Sequence, residues 1–307
     1  MKTYVVTGST GAIGTALVSR LAEEDNRVFA VVRPDSPRKK NIPTGSNIEV
    51  IERDITDLRT LSQEISQADV LFHLAWQSPA GPGRNDMYLQ TGNIRCALDA
   101  VETAHDMGCQ AFILAGSQAE YGRSDKPLTP DTPSRPENGY GMAKLCAEEM
   151  TGFKCRQYGI RCPHPRILSV YGPNDGGSMI MNTIRNLLAG KKCEFTKGEQ
   201  IWDFLYSKDA AEILCRIAEN GQDGKIYPVG SGEARPLSDY ISELRDIVSP
   251  DAALDFGALP YGENQVMYLS ADMQAVEQDL GYRPETSFSS GVMATVSAVR
   301  KELESSI

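Results

Sequence analysis

The sequence predicts an α/β fold, in which a doubly wound parallel sheet is followed by a smaller C-terminal lobe. The main observation is that short apolar runs alternate with segments whose apolar residues recur at helical spacing. Such alternation is typical of a parallel sheet with helices on both faces. The second observation is a glycine-rich turn directly after the first apolar run. The predicted strands are residues 3–6, 27–32, 49–53, 70–75 and 111–115, and clear helices are predicted at 93–105 and 179–188.

Three glycines mark the junction between the first strand and the first helix. Gly8 lets the chain turn sharply, Gly11 leaves room for a pyrophosphate against the backbone, and Gly14 lets helix and strand pack closely. Free N–H groups at the helix N-terminus attract anions, so phosphates are expected there. The pattern predicts a Rossmann dinucleotide site, and a glycine-rich turn without a ligand is the alternative. The predicted cofactor contacts in this turn are Gly8, Thr10, Gly11, Ala12, Ile13 and Gly14.

The tip of the second strand bears on which nicotinamide cofactor is bound. Arg33 stands there, and three basic residues follow at positions 38–40. A basic group beside the ribose 2′ position suits the phosphate of NADP, whereas an acidic group selects NAD. We therefore predict NADP, with NAD possible and a solvated basic loop as the alternative to a phosphate site. After the third strand, Asp54 is expected to accept the adenine amino group.

Length and net charge limit the classes to which this protein can belong. The 307 residues can bury a substantial core, and the net charge of −10 argues against nucleic-acid or anionic-membrane partners. The seven cysteines form no close C-x-x-C pair, which predicts reduced thiols and a cytoplasmic location. Neither a membrane span nor a secretory signal is expected. His73, His105 and His164 lack the spacing of metal ligands, so no metal site is predicted.

The rhythm of the sequence changes after Arg166, where a loop rich in glycine precedes the helix predicted at 179–188. The later part has fewer clear strands and more Gly/Pro punctuation. We expect a dinucleotide-binding domain at residues 1–168, completed by part of 203–230. The remainder of 169–307 is expected to be mostly a substrate-binding lobe.

Tyr140 and Lys144 are the best candidates for the chemistry. Their i, i+4 spacing places both side chains on one helical face, so both can point into one cleft. A phenol ionises near pH 10, so holding it ionised at pH 7 needs roughly 4 kcal/mol of stabilisation, which nearby positive charge can supply. Ser117 follows the strand at 111–115 and can donate a hydrogen bond to a substrate oxygen. An exposed helical pair is the alternative for Tyr140 and Lys144.

These motifs together resemble the extended short-chain dehydrogenase/reductase family, and in particular its nucleotide-sugar epimerase, dehydratase and ketoreductase branch. The resemblance implies that Tyr140 is the acid/base, that Lys144 contacts the nicotinamide ribose, and that Ser117 contacts the reacting oxygen. It adds Asp54, Ile55 and Ala75 to the cofactor contacts, and we expect a homodimer. The matching pieces are Thr7-Gly8-Ser9-Thr10-Gly11-Ala12-Ile13-Gly14, Asp54-Ile55-Thr56-Asp57, His73-Leu74-Ala75, Gly116-Ser117-Gln118-Ala119-Glu120-Tyr121-Gly122, Tyr140 with Lys144, Tyr171-Gly172-Pro173, and Trp202-Asp203-Phe204-Leu205-Tyr206.

Departures from the family pattern separate its branches. Related 4,6-dehydratases carry an Asp-Glu pair where this chain has Gln118 and Ala119, which argues against dehydration. Arg33 favours exchangeable NADPH, and the C-terminal region resembles CDP-sugar 4-ketoreductases of the abequose type. The first hypothesis is therefore an NADPH-dependent nucleotide-sugar 4-ketoreductase in which Tyr140 protonates the product oxygen. A 4-epimerase with tightly bound NAD is the alternative, and a non-catalytic cofactor sensor or interaction protein is the third.

Two positions bear on the substrate. Trp202 stands where the family usually has an arginine that clamps the diphosphate, and Ser169 replaces an asparagine that contacts the sugar phosphate. Because an indole cannot replace a guanidinium fork, we expect the diphosphate to be held with less charge than in the resembling enzymes. Trp202 is expected either to stack on the substrate or to belong to the core.

Overall fold

The computed structural model describes residues 1–304 of the chain. It contains an extended β-sheet flanked by helices and a second group of short strands. The strands are β1 (Thr3–Thr7), β2 (Arg27–Val32), β3 (Ile48–Glu52), β4 (Val70–His73), β5 (Ala111–Leu114), β6 (Gly116–Ser117), β7 (His164–Ile167), β8 (Ser169–Tyr171), β9 (Cys193–Phe195), β10 (Ile201–Tyr206), β11 (Ile226–Val229), β12 (Ala234–Pro236) and β13 (Leu254–Phe256). The α-helices are α1 (Ala12–Glu23), α2 (Met87–Asp106), α3 (Gly139–Tyr158), α4 (Met179–Leu188), α5 (Ser207–Asn220), α6 (Leu237–Val248), α7 (Gln274–Leu280) and α8 (Phe288–Glu304). Short 3₁₀-helices occur at Pro37–Asn41, Ile55–Gln63, Pro82–Asn85 and Gln118–Glu120.

The main sheet is parallel, as the sequence predicts. Five strands pair in the order β3-β2-β1-β4-β5, and β6, β7 and β11 form a second parallel ladder in the order β11-β7-β6. The two ladders meet at Arg161, whose carbonyl accepts from Phe112 N–H at 2.9 Å and whose N–H donates to the Gln110 carbonyl at 3.0 Å. The sheet therefore continues from β5 to β11.

Helices cover both faces of this sheet, which is why its inner strands β1, β2, β4 and β5 are nearly all apolar. Alternate residues of β1 point to opposite sides, so that Val6 joins one buried cluster with α1 and α5 while Val5 joins another with α2 and α3. This is the doubly wound arrangement, and it buries the strands on both sides.

The C-terminal half of the chain contributes to two places. Helix α5 packs against α1, and β11 completes the main sheet, so residues 207–229 belong structurally with the N-terminal part of the chain. Strands β8, β10 and β12 form a separate small sheet, β9 pairs with β13, and a third apolar cluster lies among α4, α6 and α8. The division of the chain at residue 168 stays a prediction.

Several predicted boundaries shift in the structure, most by a single residue. Helix α2 begins at Met87 rather than at residue 93, because the Asp86 carboxylate caps it by accepting from the N–H groups of Tyr88 and Leu89 at 3.1 Å. Strand β4 ends at His73 rather than at residue 75, and Ser117 lies in its own short strand, β6. Among residues 1–304, no helix is both long and apolar enough to cross a membrane.

Candidate active site

The glycine turn joins β1 to α1 at the C-terminal edge of the main sheet. Gly8 adopts a φ of 69°, and a Cβ there would lie 2.7 Å from the Ala75 nitrogen. A Cβ on Gly14 would collide with the Gly8 carbonyl oxygen and approach the Ser9 Cα to 2.7 Å. Glycine is therefore required at both positions by the packing of the protein itself.

Gly11 differs from the other two glycines, because the protein does not fill the space beside it. A Cβ there would have only the Gly8 carbonyl oxygen as a neighbour, at 3.8 Å. Gly11 is also the N-cap residue of α1 and places no side chain over the helix N-terminus. Residues Thr10 to Ile13 are partly exposed between the buried Ser9 and Gly14. These features fit a pyrophosphate lying on the N–H groups of the first helical turn.

The basic loop after β2 is mostly engaged with other parts of the protein. Arg38 donates to the Asn174 carbonyl, and Lys39 forms an ion pair with Glu52 at 2.5 Å. Arg33 is exposed and has no ion pair with the residues that the structure describes. Lys40 is likewise exposed and has no ion pair among residues 1–304, so Arg33 and Lys40 are the two basic residues here that no ion pair holds away from a ribose 2′ substituent.

Three further predicted cofactor contacts, Asp54, Ile55 and Ala75, follow the C-terminal ends of β3 and β4, two strands of the same parallel sheet. The Asp54 carboxylate accepts from the N–H and the hydroxyl of Thr56, at 3.0 and 2.8 Å. The backbone hydrogen bond, followed by that from the hydroxyl, lowers the pKa of Asp54. Ile55 begins the 3₁₀-helix after β3, and Ala75 N–H donates to the Thr7 hydroxyl at 3.3 Å. These residues border the same edge of the sheet as the glycine turn.

Tyr140 lies in the first turn of α3, where the Asn138 side chain caps the helix by accepting from Gly141 N–H at 2.9 Å. The Tyr140 ring is 9% exposed, and burial raises its pKa. The hydroxyl of Ser117, which lies at the end of β6, opposes that rise by hydrogen bonding to the phenol. The structure therefore brings Ser117 and Tyr140 together, although they come from different elements.

Lys144 reaches the same place from one helical turn further along α3. Its ammonium donates to the Ala115 carbonyl at 2.7 Å and lies 3.7 Å from the centre of the Trp76 ring. Burial lowers the Lys144 pKa to about 7, and the charge of Glu120 partly offsets that effect. Trp76 also packs edge-on against Tyr140, with 6.1 Å between ring centres. Trp76 was not among the predicted site residues, because its approach to Lys144 depends on the fold.

Arg84 is a second residue of the site that sequence patterns do not identify. Its guanidinium lies over the Tyr140 ring, 4.4 Å from the ring centre. It is carried by the 3₁₀-helix Pro82–Asn85, in the connection between β4 and α2. No motif marks this loop, and only tertiary structure places it against α3.

A buried charge cluster lies behind Ser117. Glu120 is fully buried and accepts from Ser117 N–H at 2.6 Å, while Arg166 forms ion pairs with Glu120 at 3.0 Å and with Glu148 at 2.6 Å. Burial and then the neighbouring Glu148 raise the pKa of Glu120 well above its usual range. Burial also acts to raise the Glu148 pKa, but hydrogen bonds with Arg166 and Glu120, together with the charges of His164 and Arg166, lower that pKa overall. Glu120 therefore faces the protein interior.

The two predicted substrate residues contact each other. Trp202 in β10 donates its indole N–H to the hydroxyl of Ser169 in β8, at 2.8 Å. Trp202 is partly buried and packs on the apolar cluster of the main sheet. Arg235, opposite Trp202 on β12, pairs with Glu243 and lies 4.0 Å from the centre of the Tyr240 ring. Arg235, the residue that pairs with Trp202 between β10 and β12, is thus already engaged in an ion pair.

The three histidines occupy separate structural environments. Burial, followed by the charge of Lys144, lowers the His73 pKa to about 3, and its Nδ1 shares a hydrogen bond with the Thr7 hydroxyl at 3.0 Å. His105 stacks on Tyr158 at 3.8 Å, and His164 lies buried in β7. Across residues 1–304, there is no group of three or more His, Cys, Asp or Glu side chains that could hold a metal ion.

Comparison with solved structures supports this description of the fold. The UDP-glucose 4-epimerase of Thermotoga maritima, solved with UDP-glucose, is 25% identical with a TM-score of 0.88, and the match covers 98% of this chain and 99% of that one. The UDP-glucuronic acid 4-epimerase of Bacillus cereus, solved with NAD, is also 25% identical, with a TM-score of 0.84 and the same coverage.

Comparison by sequence leads to the same group of enzymes. The UDP-glucose 4-epimerase of Mycolicibacterium smegmatis is 24% identical, covering 97% of this chain and 98% of its relative. The dTDP-D-glucose 4,6-dehydratase of Mus musculus is 25% identical, covering 98% and 89%. The model of the NAD dependent epimerase/dehydratase family matches residues 4–230. The chain therefore belongs to the NAD dependent epimerase/dehydratase family and is an enzyme.

Proposed function

We propose that this enzyme is an NAD-dependent nucleotide-sugar 4-epimerase. The observation that carries the proposal is the buried phenol of Tyr140 beside the hydroxyl of Ser117, with Lys144 one helical turn away. This set lies at the edge of the sheet where the glycine turn leaves space for a dinucleotide. The likeness to 4-epimerases over nearly the whole chain supports the same function.

The side chains have complementary tasks in this reaction. Bound NAD would supply a reversible hydride acceptor for the sugar carbon. Tyr140 takes the proton of the sugar hydroxyl as that carbon is oxidised, holds it on the phenol oxygen, and returns it afterwards. Ser117 donates a hydrogen bond to the same sugar oxygen, and Lys144 is available to the nicotinamide ribose. Burial of Tyr140 keeps bulk water away from the transferred proton.

The site offers no carboxyl group for eliminating water from the sugar at the positions next to Ser117. Gln118 and Ala119 follow Ser117. The next residue, Glu120, points into the interior, where it accepts from Ser117 N–H and pairs with Arg166. A 4,6-dehydratase needs an additional acid and base at its reacting carbons. The orientation of Glu120 therefore favours an enzyme that acts at one carbon.

The NADPH-dependent 4-ketoreductase is a second candidate, and Arg33 is the observation that favours it. Its exposed guanidinium at the end of β2 has no ion pair among residues 1–304, so it is available to a 2′-phosphate. Against this candidate, Arg38 and Lys39 already bind Asn174 and Glu52. NAD is also the cofactor in the solved structure of the Bacillus cereus relative.

Cofactor binding separates the two candidates. We expect the purified protein to carry NAD, or to bind NAD more tightly than NADP by isothermal titration. Arg33→Asp should then weaken NADP further and leave NAD nearly unchanged, because it replaces attraction to a phosphate by repulsion. If the native protein instead prefers NADP, and Arg33→Asp abolishes that preference, the result would favour the ketoreductase.

Turnover provides the direct test. UDP-glucose, UDP-N-acetylglucosamine and UDP-glucuronic acid should be incubated separately with the NAD-loaded protein, and the products identified by proton NMR. An epimerase forms the 4-epimer without net consumption of nicotinamide. Oxidation of NADPH in proportion to a 4-keto sugar nucleotide, without epimer, would contradict the proposal. Tyr140→Phe is the control for adventitious activity in each assay.

For the substrate, we propose a nucleotide sugar whose diphosphate meets few cations in the C-terminal part of the cleft. Trp202 and Ser169 are hydrogen-bonded to each other, and Arg235 is paired with Glu243. Trp202→Arg should therefore tighten UDP or CDP binding, measured by titration calorimetry, if the diphosphate passes this pair. Unchanged affinity for every nucleoside diphosphate would remove Trp202 from the substrate site.

A further inference from the structure

The cation closest to the Tyr140 ring is Arg84. Its guanidinium carbon lies 4.4 Å from the ring centre, whereas the Lys144 ammonium lies 5.9 Å away. Lys144 is instead directed to the Ala115 carbonyl and the Trp76 ring. A guanidinium over a phenol ring is attracted to its electron-rich face, and the attraction strengthens when the ring carries the charge of a phenolate.

The loop that carries Arg84 is fixed to α3 and α2. The Asn85 side chain accepts from Gly139 N–H at 3.0 Å, at the residue just before Tyr140. The buried Gln90 of α2 donates to the carbonyls of Gly83 and Ser78, at 2.9 and 3.1 Å. The Arg84 guanidinium donates to the Pro79 carbonyl, within the same loop. The cation is therefore held in position over the ring by the backbone on either side of it.

Arg84 has no acidic partner among residues 1–304, so its charge is not neutralised by an ion pair. The other charged or titratable groups around Tyr140 come from different elements. Glu120 lies behind Ser117 and opposes the phenolate, while Lys144 lies further along α3, with His73 close to it. Arg84 is therefore the cation that faces the Tyr140 ring most closely, and its charge acts against the effect of Glu120 on the phenol.

We propose that Arg84 is a positioning residue that favours the phenolate form of Tyr140 and so prepares it to accept the proton of the substrate. This rests on the proposed function, in which Tyr140 is the proton-transfer group. Arg84 acts on the Tyr140 ring. Lys144 has a different task, because it is left available for the ribose of the cofactor. Arg84 lies outside the sequence motifs that resemble those of the family.

The direct test is the titration of Tyr140 in the NAD-loaded protein. Tyrosine labelled with ¹³C at Cζ reports ionisation by NMR, and the resonance that disappears in Tyr140→Phe identifies the residue. Arg84→Gln should raise the pKa of Tyr140 by about 1, which is a tenfold smaller phenolate fraction at a given pH below that pKa. Arg84→Lys keeps a charge over the ring and should restore part of the shift.

The pH dependence of kcat should follow the titration. In Arg84→Gln the rate should fall about tenfold at low pH and approach the wild-type rate as the pH rises, with KM changed little. Arg95→Gln removes the same charge from a side chain that is 86% exposed on α2, and should leave both readouts unchanged. If Arg84→Gln does not fold, the same comparison is made between Arg84→Lys and the wild type.

Two results would overturn the proposal. One is a Tyr140 resonance that titrates identically in the wild type and in Arg84→Gln, or that stays a neutral phenol in both at every pH tested. The other is a loss of rate by the same factor at all pH values together with a higher KM, which would assign Arg84 to substrate contact. Because the titration needs no substrate, it remains decisive even if no nucleotide sugar is turned over.

Discussion

At the scale of single residues, the site combines groups whose ordinary ionisation is displaced by burial. Tyr140 and Lys144 are both almost fully buried, and burial acts against the charged form of each. For Lys144, whose charged form is the ordinary one near pH 7, this burial has a cost in stability. Replacing its ammonium by an apolar group should therefore lower activity and raise stability.

The first prediction concerns Tyr140→Phe, which removes the transferable proton and little else. Turnover should fall about 10²- to 10⁴-fold, while the dissociation constant of NAD changes little. Steady-state kinetics and isothermal titration measure the two quantities. Retention of wild-type turnover would show that Tyr140 is not the acid/base.

The second prediction concerns Lys144→Met, which replaces a buried ammonium by an apolar side chain of similar length. The free energy of unfolding should rise by about 1 to 3 kcal/mol near pH 7, while NAD affinity and turnover fall. Denaturant titration of both proteins measures the difference. A less stable variant with unchanged NAD affinity would contradict both roles of Lys144.

The sign of the pH dependence follows from the lowered pKa of Lys144. Because its pKa is about 7 in the folded protein against an ordinary 10.5, the unfolded chain binds the proton more tightly. Between these two values the wild type should gain stability from this group as the pH rises, and the advantage of Lys144→Met should shrink. A constant difference across this range would contradict the assignment.

At the scale of elements, the β1-α1 turn shows that nearby glycines are required for different physical reasons. Gly14 is required because α1 packs directly on the turn, whereas Gly11 borders space that the protein leaves open. We therefore expect the same sequence motif to combine a folding requirement with a binding requirement.

The third prediction compares alanine at these two glycines. Gly14→Ala should destabilise the protein by about 3 kcal/mol, because its Cβ would lie against the backbone of Gly8 and Ser9. Gly11→Ala should leave the free energy of unfolding nearly unchanged but weaken NAD binding about tenfold or more, since its Cβ would enter the space kept for the pyrophosphate. Equal effects of the two substitutions on stability and on NAD affinity would contradict the distinction.

At the scale of the whole molecule, helices α2 and α3 lie side by side and expose an apolar stripe. On α3 it consists of Met142, Cys146, Met150 and Phe153, which share one face by helical spacing. The Phe153 side chain is 59% exposed, and the α2 residue Tyr88 is 94% exposed. Large exposed apolar groups in one patch are typical of an interface. We predict that the expected homodimer forms through this patch.

The fourth prediction is that Phe153→Glu converts a dimer into a monomer, because two carboxylates would be buried at a two-fold interface. Sedimentation equilibrium measures the mass of each protein. Met267→Glu places the same charge on an exposed methionine outside α2 and α3, and should leave the dimer intact. A wild type that is monomeric at all concentrations would refute the expected homodimer.

The parts of this enzyme that local sequence determines are those with short-range physical causes. Gly8 must adopt a positive φ directly after β1, and the i, i+4 spacing of Tyr140 and Lys144 follows from the helical repeat. Alternation of apolar strands and helices likewise predicts the parallel sheet, since each strand must be covered on both faces. The fold class, the glycine turn and the pair on α3 are therefore recognisable without coordinates.

Tertiary structure decided which side chains surround that pair. Arg84 and Trp76 reach α3 from the connection after β4, and Trp202 meets Ser169 because β10 pairs with β8. Loop conformation and the pairing of distant strands depend on packing across the whole chain, and no short pattern encodes them. The basic loop illustrates the same limit, because Arg38 is drawn to the carbonyl of Asn174, a residue of a distant loop. The charge on Arg38 could be read in the sequence, but its partner depends on how the chain brings these two loops together.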